Sequence, residues 1–214
     1  MLADAWTYLL AHPAQFSRAL GVHMALSASA LLLAALISVP AGIAVARRDG
    51  LSLAVVNAAN VGRTLPSLAV LALVLPVLGT GFPPALFALT LIAMPPIVTH
   101  TIVGLRGVDA DAVDAAVGMG MTRAGLLWQV ELPIALPVIF AGLRTGAVQV
   151  ISGAVLAAFI GGGGLGDFIT AGIAMMAIPQ LLVGAIPVAL LALGTDFLFG
   201  ALQRRITSRG LRAA

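Results

Sequence analysis

A long stretch without charge decides the fold class of this chain. It runs from Ala19 to Ala46, reads ALGVHMALSASALLLAALISVPAGIAVA, and ends at the charged residues Arg47, Arg48 and Asp49. A helix that crosses a bilayer needs about 20 mostly apolar residues, and this stretch supplies 28. The stretch therefore predicts a membrane-spanning helix.

The composition of the whole chain points the same way. Of its 214 residues, 61% are hydrophobic and 9% are charged, and the mean hydropathy is +1.12. In an ordinary soluble domain roughly a quarter of the residues are charged. The composition excludes such a domain and predicts an all-α integral membrane protein. Since no linker or internal repeat divides the sequence, we expect one transmembrane domain over residues 1–214.

The same length criterion predicts four more spans. The five predicted spans cover about 19–46, 51–78, 82–104, 135–160 and 181–202. Pro95 and Pro96 are expected to kink the third span. Met1 to Ser17 lacks the basic segment that opens a cleaved signal peptide, so we expect a short interfacial helix there.

The placement of arginine predicts the orientation of these spans. If the C-terminus lies inside, eight arginines fall on the cytoplasmic side and only Arg18 falls outside. The eight are Arg47, Arg48, Arg106, Arg123, Arg204, Arg205, Arg209 and Arg212. Short cytoplasmic loops carry an excess of basic residues. We therefore expect the N-terminus outside, the C-terminus inside, and loop 105–133 in the cytoplasm.

Missing residue types exclude several kinds of chemistry. The chain has no lysine, which a Walker phosphate loop and a pyridoxal Schiff base both need. It has no cysteine for disulfides or thiolate metal sites, and its three histidines lack metal-ligand spacing. We expect no metal and no cofactor. The pI near 11.0 reflects a net charge of only +3 and predicts no nucleic-acid partner.

The loop over 105–133 carries helix-start and helix-stop signals. Its first acids, which suit the first turn of a helix, are Asp109, Asp111 and Asp114. Gly118 and Gly120 are expected to end that helix. Thr122 can cap a second helix, which we expect Pro133 and Pro137 to break before the fourth span. A helix-turn-helix at the inner face predicts a docking element. The alternative, an amphipathic helix on the lipid surface, is disfavoured by three acids beside an anionic leaflet.

The spacing in this loop resembles the EAA loop of ABC importer permeases. That pattern is Glu-Ala-Ala, three residues, Gly, nine residues, Ile, one residue and Leu-Pro. The matching positions here are Asp114, Ala115, Ala116, Gly120, Val130, Leu132 and Pro133. Asp stands for Glu and Val for Ile, both conservative changes. The resemblance implies that this loop couples the chain to an ATPase.

The resemblance extends over roughly residues 20–200. The stretches that carry it are TLPSLA at 64–69, GMGMT at 118–122, VELP at 130–133, AGLRT at 141–145 and AFIGGGGLGD at 158–167. They are similar to ABC importer permeases of the osmoprotectant group, which carry glycine betaine, choline, carnitine or proline betaine. Arg63 stands where that group usually has glutamine, and His100 where it usually has asparagine.

This resemblance implies a fold, a function and partners. The fold would be that of an ABC importer permease with five transmembrane helices, in the bacterial cytoplasmic (inner) membrane. The chain would form the translocation pathway and would not itself be an enzyme. Its partners would be an ABC ATP-binding subunit, a second permease copy or paralogue, an extracytoplasmic solute-binding protein and membrane lipid.

Two arginines lie within predicted spans. An intramembrane charge is destabilising, and such residues usually face the bundle interior or a cavity. Arg63, with Pro66 and Ser67, is a candidate for the pathway. It can meet a substrate carboxylate, pair with a neighbouring carbonyl, or snorkel to the interface, and the sequence leaves these alternatives open. Arg144 lies closer to the cytoplasmic end, so we expect it to snorkel.

A glycine-rich segment follows the fourth span. Its members Gly163, Gly164 and Gly166 can form a gate element, and a plain flexible loop is an equal alternative. Gly161, Gly163 and Gly166 also fit a dinucleotide fingerprint, but that motif needs a preceding strand. The sequence leaves open whether 161–180 is a re-entrant segment.

Other functions fit the sequence less well. A gradient-driven transporter or channel usually depends on intramembrane acids, and the first four predicted spans contain none. Asp196 lies near the inner end of the fifth. A serine protease built on Ser152 and His100 lacks the glycine that its motif needs at Val150. Because the spans offer only phenylalanines such as Phe140 and Phe159 as aromatic contacts, we expect no tight aromatic cage for a quaternary ammonium group.

Overall fold

The computed structural model describes residues 1–206, and these residues form helices joined by short turns. The ten α-helices are α1 (Leu2–Ala11), α2 (Pro13–Ala46), α3 (Asp49–Thr64), α4 (Ser67–Leu78), α5 (Phe82–Arg106), α6 (Ala110–Gly118), α7 (Arg123–Leu126), α8 (Leu132–Gly153), α9 (Gly166–Ala174) and α10 (Ile178–Ile206). A π-helical segment, Leu127–Glu131, joins α7 to α8, and a 3-10 helix, Ala154–Ile160, extends α8. The predicted all-α fold is confirmed.

Within residues 1–206, four helical stretches are long and apolar enough to cross a membrane. They are Pro13–Ala46, Phe82–Arg106, Arg123–Ile160 and Ile178–Ile206. Each contains one predicted span and extends beyond it at one end or both. Three of them share one boundary with the prediction, at Ala46, Phe82 and Ile160. The number of candidate spans is therefore four, or five if the bent pair described next counts as one.

The second predicted span, 51–78, is two helices rather than one. The axes of α3 and α4 differ by 94° across the break at Leu65 and Pro66. A proline lacks the N–H of a helical residue and disfavours the α conformation in the residue before it. Leu65 accordingly has φ −71° and ψ 127°, an extended conformation. Hydropathy alone does not register this change of direction.

Pro133 and Pro137 do not break the helix that leads into the fourth span, which corrects the sequence-based expectation. Leu132 donates its backbone N–H to the carbonyl of Leu127, five residues earlier. Pro133 then lies in the first turn of α8, where a missing N–H is tolerated. Pro137 lies inside α8, and the helix continues past it to Gly153.

Small residues let the central helices pack closely. A Cβ atom at Gly142 of α8 would lie 2.7 Å from the Cβ of His100 and 2.9 Å from the carbonyl oxygen of Pro96, both on α5. A Cβ at Gly42 of α2 would lie 2.8 Å from Thr101. Membrane helices associate through such small residues because backbones can then approach each other. The core therefore lies where α2, α5 and α8 meet.

The N-terminal segment is helical, as predicted. Pro13 begins α2 directly after α1. Tyr8 on α1 stacks on His12 with ring centroids 4.4 Å apart, and it meets Phe168 of α9 edge-on at 6.5 Å. These contacts hold α1 against the part of the bundle built from α9 and α10. Arg209 and Arg212, which the orientation argument counts, lie outside the described residues.

Candidate functional site

The loop between α5 and α8 is a helix-turn-helix, as predicted. The carboxylate of Asp109 accepts a hydrogen bond from the backbone N–H of Asp111 at 2.9 Å, which caps α6. The hydroxyl of Thr122 accepts one from the N–H of Gly125 at 3.2 Å, which caps α7. Between the helices Gly120 has φ +82°, a left-handed conformation that favours glycine. The sharp turn thus depends on this residue.

The residues that match the EAA pattern divide between an outward and an inward face. Asp114, Ala115 and Gly120 are exposed, whereas Ala116 is 2% exposed and packs inward. At the other end of the pattern Val130 and Leu132 are half-buried and Pro133 is exposed. The structure therefore places the acid and the turn glycine together on an accessible surface.

Large apolar side chains are also exposed on this loop. Met119 is 73% exposed and Trp128 is 68% exposed, and Val117 is exposed as well. Exposed apolar side chains grouped on a polar loop are typical of a contact surface for a protein or a membrane. The outward face of the loop can accept a partner that matches both its acid and its apolar residues.

One buried acid anchors the loop, and the sequence analysis did not select it. Glu131 has a side chain only 4% exposed and forms an ion pair with Arg47 at the end of α2. A carboxylate of that burial needs such a partner. The sequence held a signal for this ion pair. Glu131 is the loop acid nearest the fourth predicted span, and Arg47 was predicted to lie on the same side of the membrane.

A second ion pair strengthens the same end of the bundle. The Nε of Arg106, the last residue of α5, donates to the carbonyl oxygen of Ala46 at 2.8 Å. Its guanidinium also pairs with Asp49 at 2.5 Å. The ends of α2, α3 and α5 are thereby tied together beside the loop.

A cavity of about 810 Å³ lies between the α3–α4 bend, α5 and the far end of α8. We call it the groove. Its polar lining residues are Arg63, Ser67, Gln149 and Ser152. Its other lining residues are Gly62, Leu65, Val70, Leu73, Val74, Leu91, Ile92, Gly153, Val155 and Leu156. The groove therefore brings two predicted pathway residues, Arg63 and Ser67, together with two that the pathway prediction missed.

The third predicted pathway residue has a different position. Pro66 is not among the residues that line the groove, but it forms the break that turns α4 away from α3. Gln149 was missed because a single glutamine in a span has no distinctive spacing. Its Oε1 atom is buried and has no hydrogen-bond partner in the described part of the chain.

The two arginines that lie within predicted spans have different surroundings. Arg144 on α8 makes two hydrogen bonds of 2.6 Å to the two carboxylate oxygens of Asp196 on α10. The expectation that Arg144 snorkels is therefore corrected, because an ion partner lies within reach on the neighbouring helix. Arg63 is exposed to the groove and has no hydrogen bond or ion pair within residues 1–206.

The glycine segment lies apart from the groove. Gly163 and Gly164 have φ values of +74° and +93°, and Gly166 begins α9. A Cβ at Gly164 would lie 3.3 Å from the Nδ1 of His23 on α2. None of the three glycines lines the groove, so the structure does not bring the candidate gate and Arg63 into one site. The segment packs against α2 rather than standing free of the bundle.

The two residues of the protease alternative do not pair. The Nδ1 of His100 lies 2.8 Å from the carbonyl oxygen of Pro96, within its own helix. Ser152 lines the groove, and no hydrogen bond joins it to His100 in the described range. The arrangement does not provide a serine with a general base.

Comparison with known proteins identifies the family. Residues 38–208 match the family of binding-protein-dependent transport system inner membrane components. A carnitine transport permease of Listeria monocytogenes is 43% identical over 192 residues, which cover 90% of this chain and 88% of that protein. A glycine betaine/carnitine/choline transport system permease of Bacillus subtilis is 37% identical over 206 residues, covering 96% and 95%.

A solved structure shows the same fold. The inward-facing MetNI methionine ABC transporter contains a chain that superposes with a TM-score of 0.79 at 21% identity, over 91% of this chain and 97% of that one. At that identity the likeness concerns the fold alone. Since the family match covers most of the sequence and two relatives exceed 35% identity over nearly its whole length, the chain belongs to the binding-protein-dependent transport system inner membrane components.

Proposed function

We propose that this chain is the membrane permease subunit of an ATP-driven ABC importer for a small osmoprotectant such as glycine betaine, carnitine or choline. Family membership makes it a multi-pass protein of the bacterial inner membrane and a transport permease. The cargo class is supported by the transport functions for which its relatives in Listeria and Bacillus are named. The observation that carries the coupling role is the helix-turn-helix that presents Asp114 and Gly120 outward.

The partners in this proposal follow from what the chain lacks and what it displays. It has no lysine for a Walker loop, so ATP hydrolysis belongs to a separate ATP-binding subunit that docks on loop 105–133. An extracytoplasmic solute-binding protein delivers the cargo. A second permease, a copy or a paralogue, completes the pathway.

The structure supports a direct mechanical route from the loop to the groove. A continuous helical stretch runs from Arg123 to Ile160. It starts in the loop and carries Gln149 and Ser152 into the groove wall. The distance from Arg123 to Gln149 is about 39 Å at 1.5 Å per residue. A push on the loop therefore shifts one wall of the groove through one helix.

Ion pairs beside the loop make that push effective. Glu131 is joined to Arg47, and Arg106 is joined to Asp49 and to the end of α2. A partner that moves α6 and α7 therefore moves the inner ends of α2, α3 and α5 with them. Coupling needs a docked surface that is stiff, and these contacts supply the stiffness.

The gradient-driven alternative gains no support from the site. The intramembrane acid that such a transporter would use is Asp196, and both of its carboxylate oxygens accept hydrogen bonds from Arg144. Both oxygens are therefore already engaged within the chain, whereas a proton relay uses an acid that is free to exchange protons with the pathway.

The coupling role is tested at Gly120. A Cβ at this position meets no atom within 4 Å, so a large side chain there projects toward a partner. Gly120→Trp should abolish uptake and reduce co-purification of the ATP-binding subunit in mild detergent, while the amount of permease in the membrane stays the same. Gly120→Asn is the matched control, because asparagine tolerates a left-handed backbone and is small. Wild-type uptake by the Trp variant would show that the ATPase does not dock on this turn.

The proposed orientation is tested by cysteine labelling, which is direct because the native chain has no cysteine. Met119→Cys lies on the exposed loop surface without disturbing the caps at Asp109 and Thr122. A membrane-impermeant maleimide should leave it unlabelled in intact cells and label it in inverted vesicles. Gln15→Cys, exposed near the other terminus, should behave in the opposite way. Labelling of Met119→Cys from outside would reverse the orientation.

A further inference from the structure

We propose that the groove is a subsite for the carboxylate of a zwitterionic cargo, with Arg63 as the group that binds it, so that the permease itself favours carboxylate-bearing quaternary ammonium compounds over choline. This inference rests on the proposed function and adds a selectivity to it. Glycine betaine and carnitine carry a carboxylate, whereas choline carries a hydroxyl and a net positive charge.

The first observation is the contrast in how the chain treats its two intramembrane arginines. Arg144 is neutralised within the bundle by Asp196. Arg63 lines the groove and has no protein partner in the part of the chain that the structure describes. Arg63 is also exposed, so its guanidinium is accessible to a molecule in the groove. A residue with five donors and no internal acceptor is suited to bind an acceptor that arrives from outside the chain.

The second observation is the charge of the groove. None of its lining residues is acidic, and Arg63 is the one formally charged residue among the fourteen that line it in the described structure. A site of net positive charge repels a cation such as choline and attracts the carboxylate end of a zwitterion. The positive charge of the groove thus distinguishes a zwitterionic cargo from a cationic one, and this distinction does not depend on the size of the cargo.

The third observation concerns the rest of the lining. Most of it is aliphatic, and no aromatic residue is among the groove residues identified in the structure. Methyl groups of a quaternary ammonium can pack on aliphatic walls, such as those formed by Val70, Leu91 and Leu156. Such contacts are weak. The carboxylate of the cargo is then the part that the groove holds most firmly.

The volume of the groove is compatible with such a cargo. At about 810 Å³ it falls within the range of roughly 300 to 1,000 Å³ that small-molecule sites occupy. Glycine betaine is much smaller than this, and carnitine also fits. A groove that exceeds its cargo holds it loosely, which suits a pathway through which the cargo must pass.

The experiment uses the whole importer in proteoliposomes, with its ATP-binding subunit, second permease and solute-binding protein. Uptake of glycine betaine, carnitine and choline is measured at saturating concentration for each cargo, and the readout is the ratio of the glycine betaine rate to the choline rate. Using a ratio removes changes in assembly or ATP turnover, which affect all cargoes alike. The variants are Arg63→Gln, which removes the charge, and Arg63→Lys, which retains it.

We expect Arg63→Gln to lower that ratio about tenfold, the size expected for one hydrogen bond to a charged group, and the carnitine to choline ratio to fall with it. Arg63→Lys should keep most of the wild-type ratio. Arg18→Gln, a matched loss of an exposed arginine outside the groove, should leave it unchanged.

Two results would overturn the inference. An unchanged ratio in Arg63→Gln, with uptake of all cargoes reduced alike, would mean that Arg63 has a structural role or pairs with the second permease. A wild-type importer that carries none of the three cargoes would overturn the proposed cargo class as well. The first result leaves the proposed function intact, so the two failures can be told apart.

Discussion

The two sides of this bundle differ in whether an arginine has an ion partner within the chain. On the side where α8 meets α10, Arg144 makes two 2.6 Å hydrogen bonds to Asp196. On the side where α3 bends into α4, Arg63 faces the groove without a partner in the described chain. Arg63 lies in the last turn of α3 and Arg144 in the middle of α8, and residue type does not distinguish them. The partner distinguishes a structural charge from one that is available for binding.

Packing also divides the bundle, with the core of α2, α5 and α8 as its first side and α3 with α4 as its second. In α5 nearly half of the residues are buried, and glycines on α2 and α8 let those helices lie against it. In α3 only Ser52 and Ala59 are buried, and in α4 only Leu71 and Val74. The first side is suited to transmit force as a rigid body. The second side is suited to change shape when a partner permease or a cargo contacts it.

The largest expected effect is on the closely packed side. Gly142→Ala places a methyl group 2.7 Å from the Cβ of His100 and 2.9 Å from a backbone oxygen, neither of which can move without shifting α5. Overpacking of this kind costs about 1–3 kcal/mol. We expect a clear loss of detergent-extractable monodisperse protein and a lower unfolding temperature.

Gly194→Ala is the matched control for this prediction, because an added Cβ there meets nothing within 4 Å. It should extract and unfold like the wild type. If the two variants lose stability equally, close packing at the α5–α8 contact is not what distinguishes this side of the bundle.

The second prediction compares the arginines directly. Arg144→Gln removes the partner of Asp196 and leaves a carboxylate unpaired in an apolar helix, so we expect several-fold less permease in the membrane. Adding Asp196→Asn should restore much of the loss, since both members of the pair are then neutral. Arg63→Gln should accumulate at the wild-type level. Equal losses for the two single variants would remove the distinction between a paired and an available arginine.

The sequence predicted the elements that depend on local composition. Spans follow from runs without charge, and the helix-turn-helix follows from Asp109, Gly120 and Thr122, whose side chains or backbone act within a few residues. It did not predict the Arg144–Asp196 pair, whose members are 52 positions apart, or the Glu131–Arg47 pair. Contacts of that kind depend on which helices become neighbours, and no local pattern encodes the choice.

The groove shows the same limit. Arg63 was selected because a charge stood out in an apolar run and Ser67 because it belongs to the neighbouring TLPSLA stretch, whereas Gln149 became a candidate only when α8 was placed opposite α3. The sequence analysis noted Pro66 but did not predict the bend between α3 and α4, because a hydropathy sum over a span ignores the direction of the backbone. A span of correct length can therefore consist of two helices nearly perpendicular to each other.

The smallest expected effect on stability concerns that bend. Pro66→Ala removes the restriction on Leu65 and lets α3 and α4 form one helix more readily. Spin labels at Leu53→Cys and Leu73→Cys, both on exposed positions, report the change. Twenty residues of straight helix span about 30 Å, whereas a 94° bend brings the labels closer. We expect a longer mean distance, lower uptake and little change in the amount of protein.

Pro76→Ala is the control for this prediction. Because Pro76 lies inside α4 beyond the second label, this variant should leave the distance between the labels unaltered. If Pro66→Ala leaves the distance at the wild-type value, packing of α4 on α5 rather than the proline maintains the bend. Tertiary contacts would then hold the α3–α4 side of the bundle in place, as they hold the α8–α10 side. Binding of a cargo in the groove would then depend on the residues that line the groove alone.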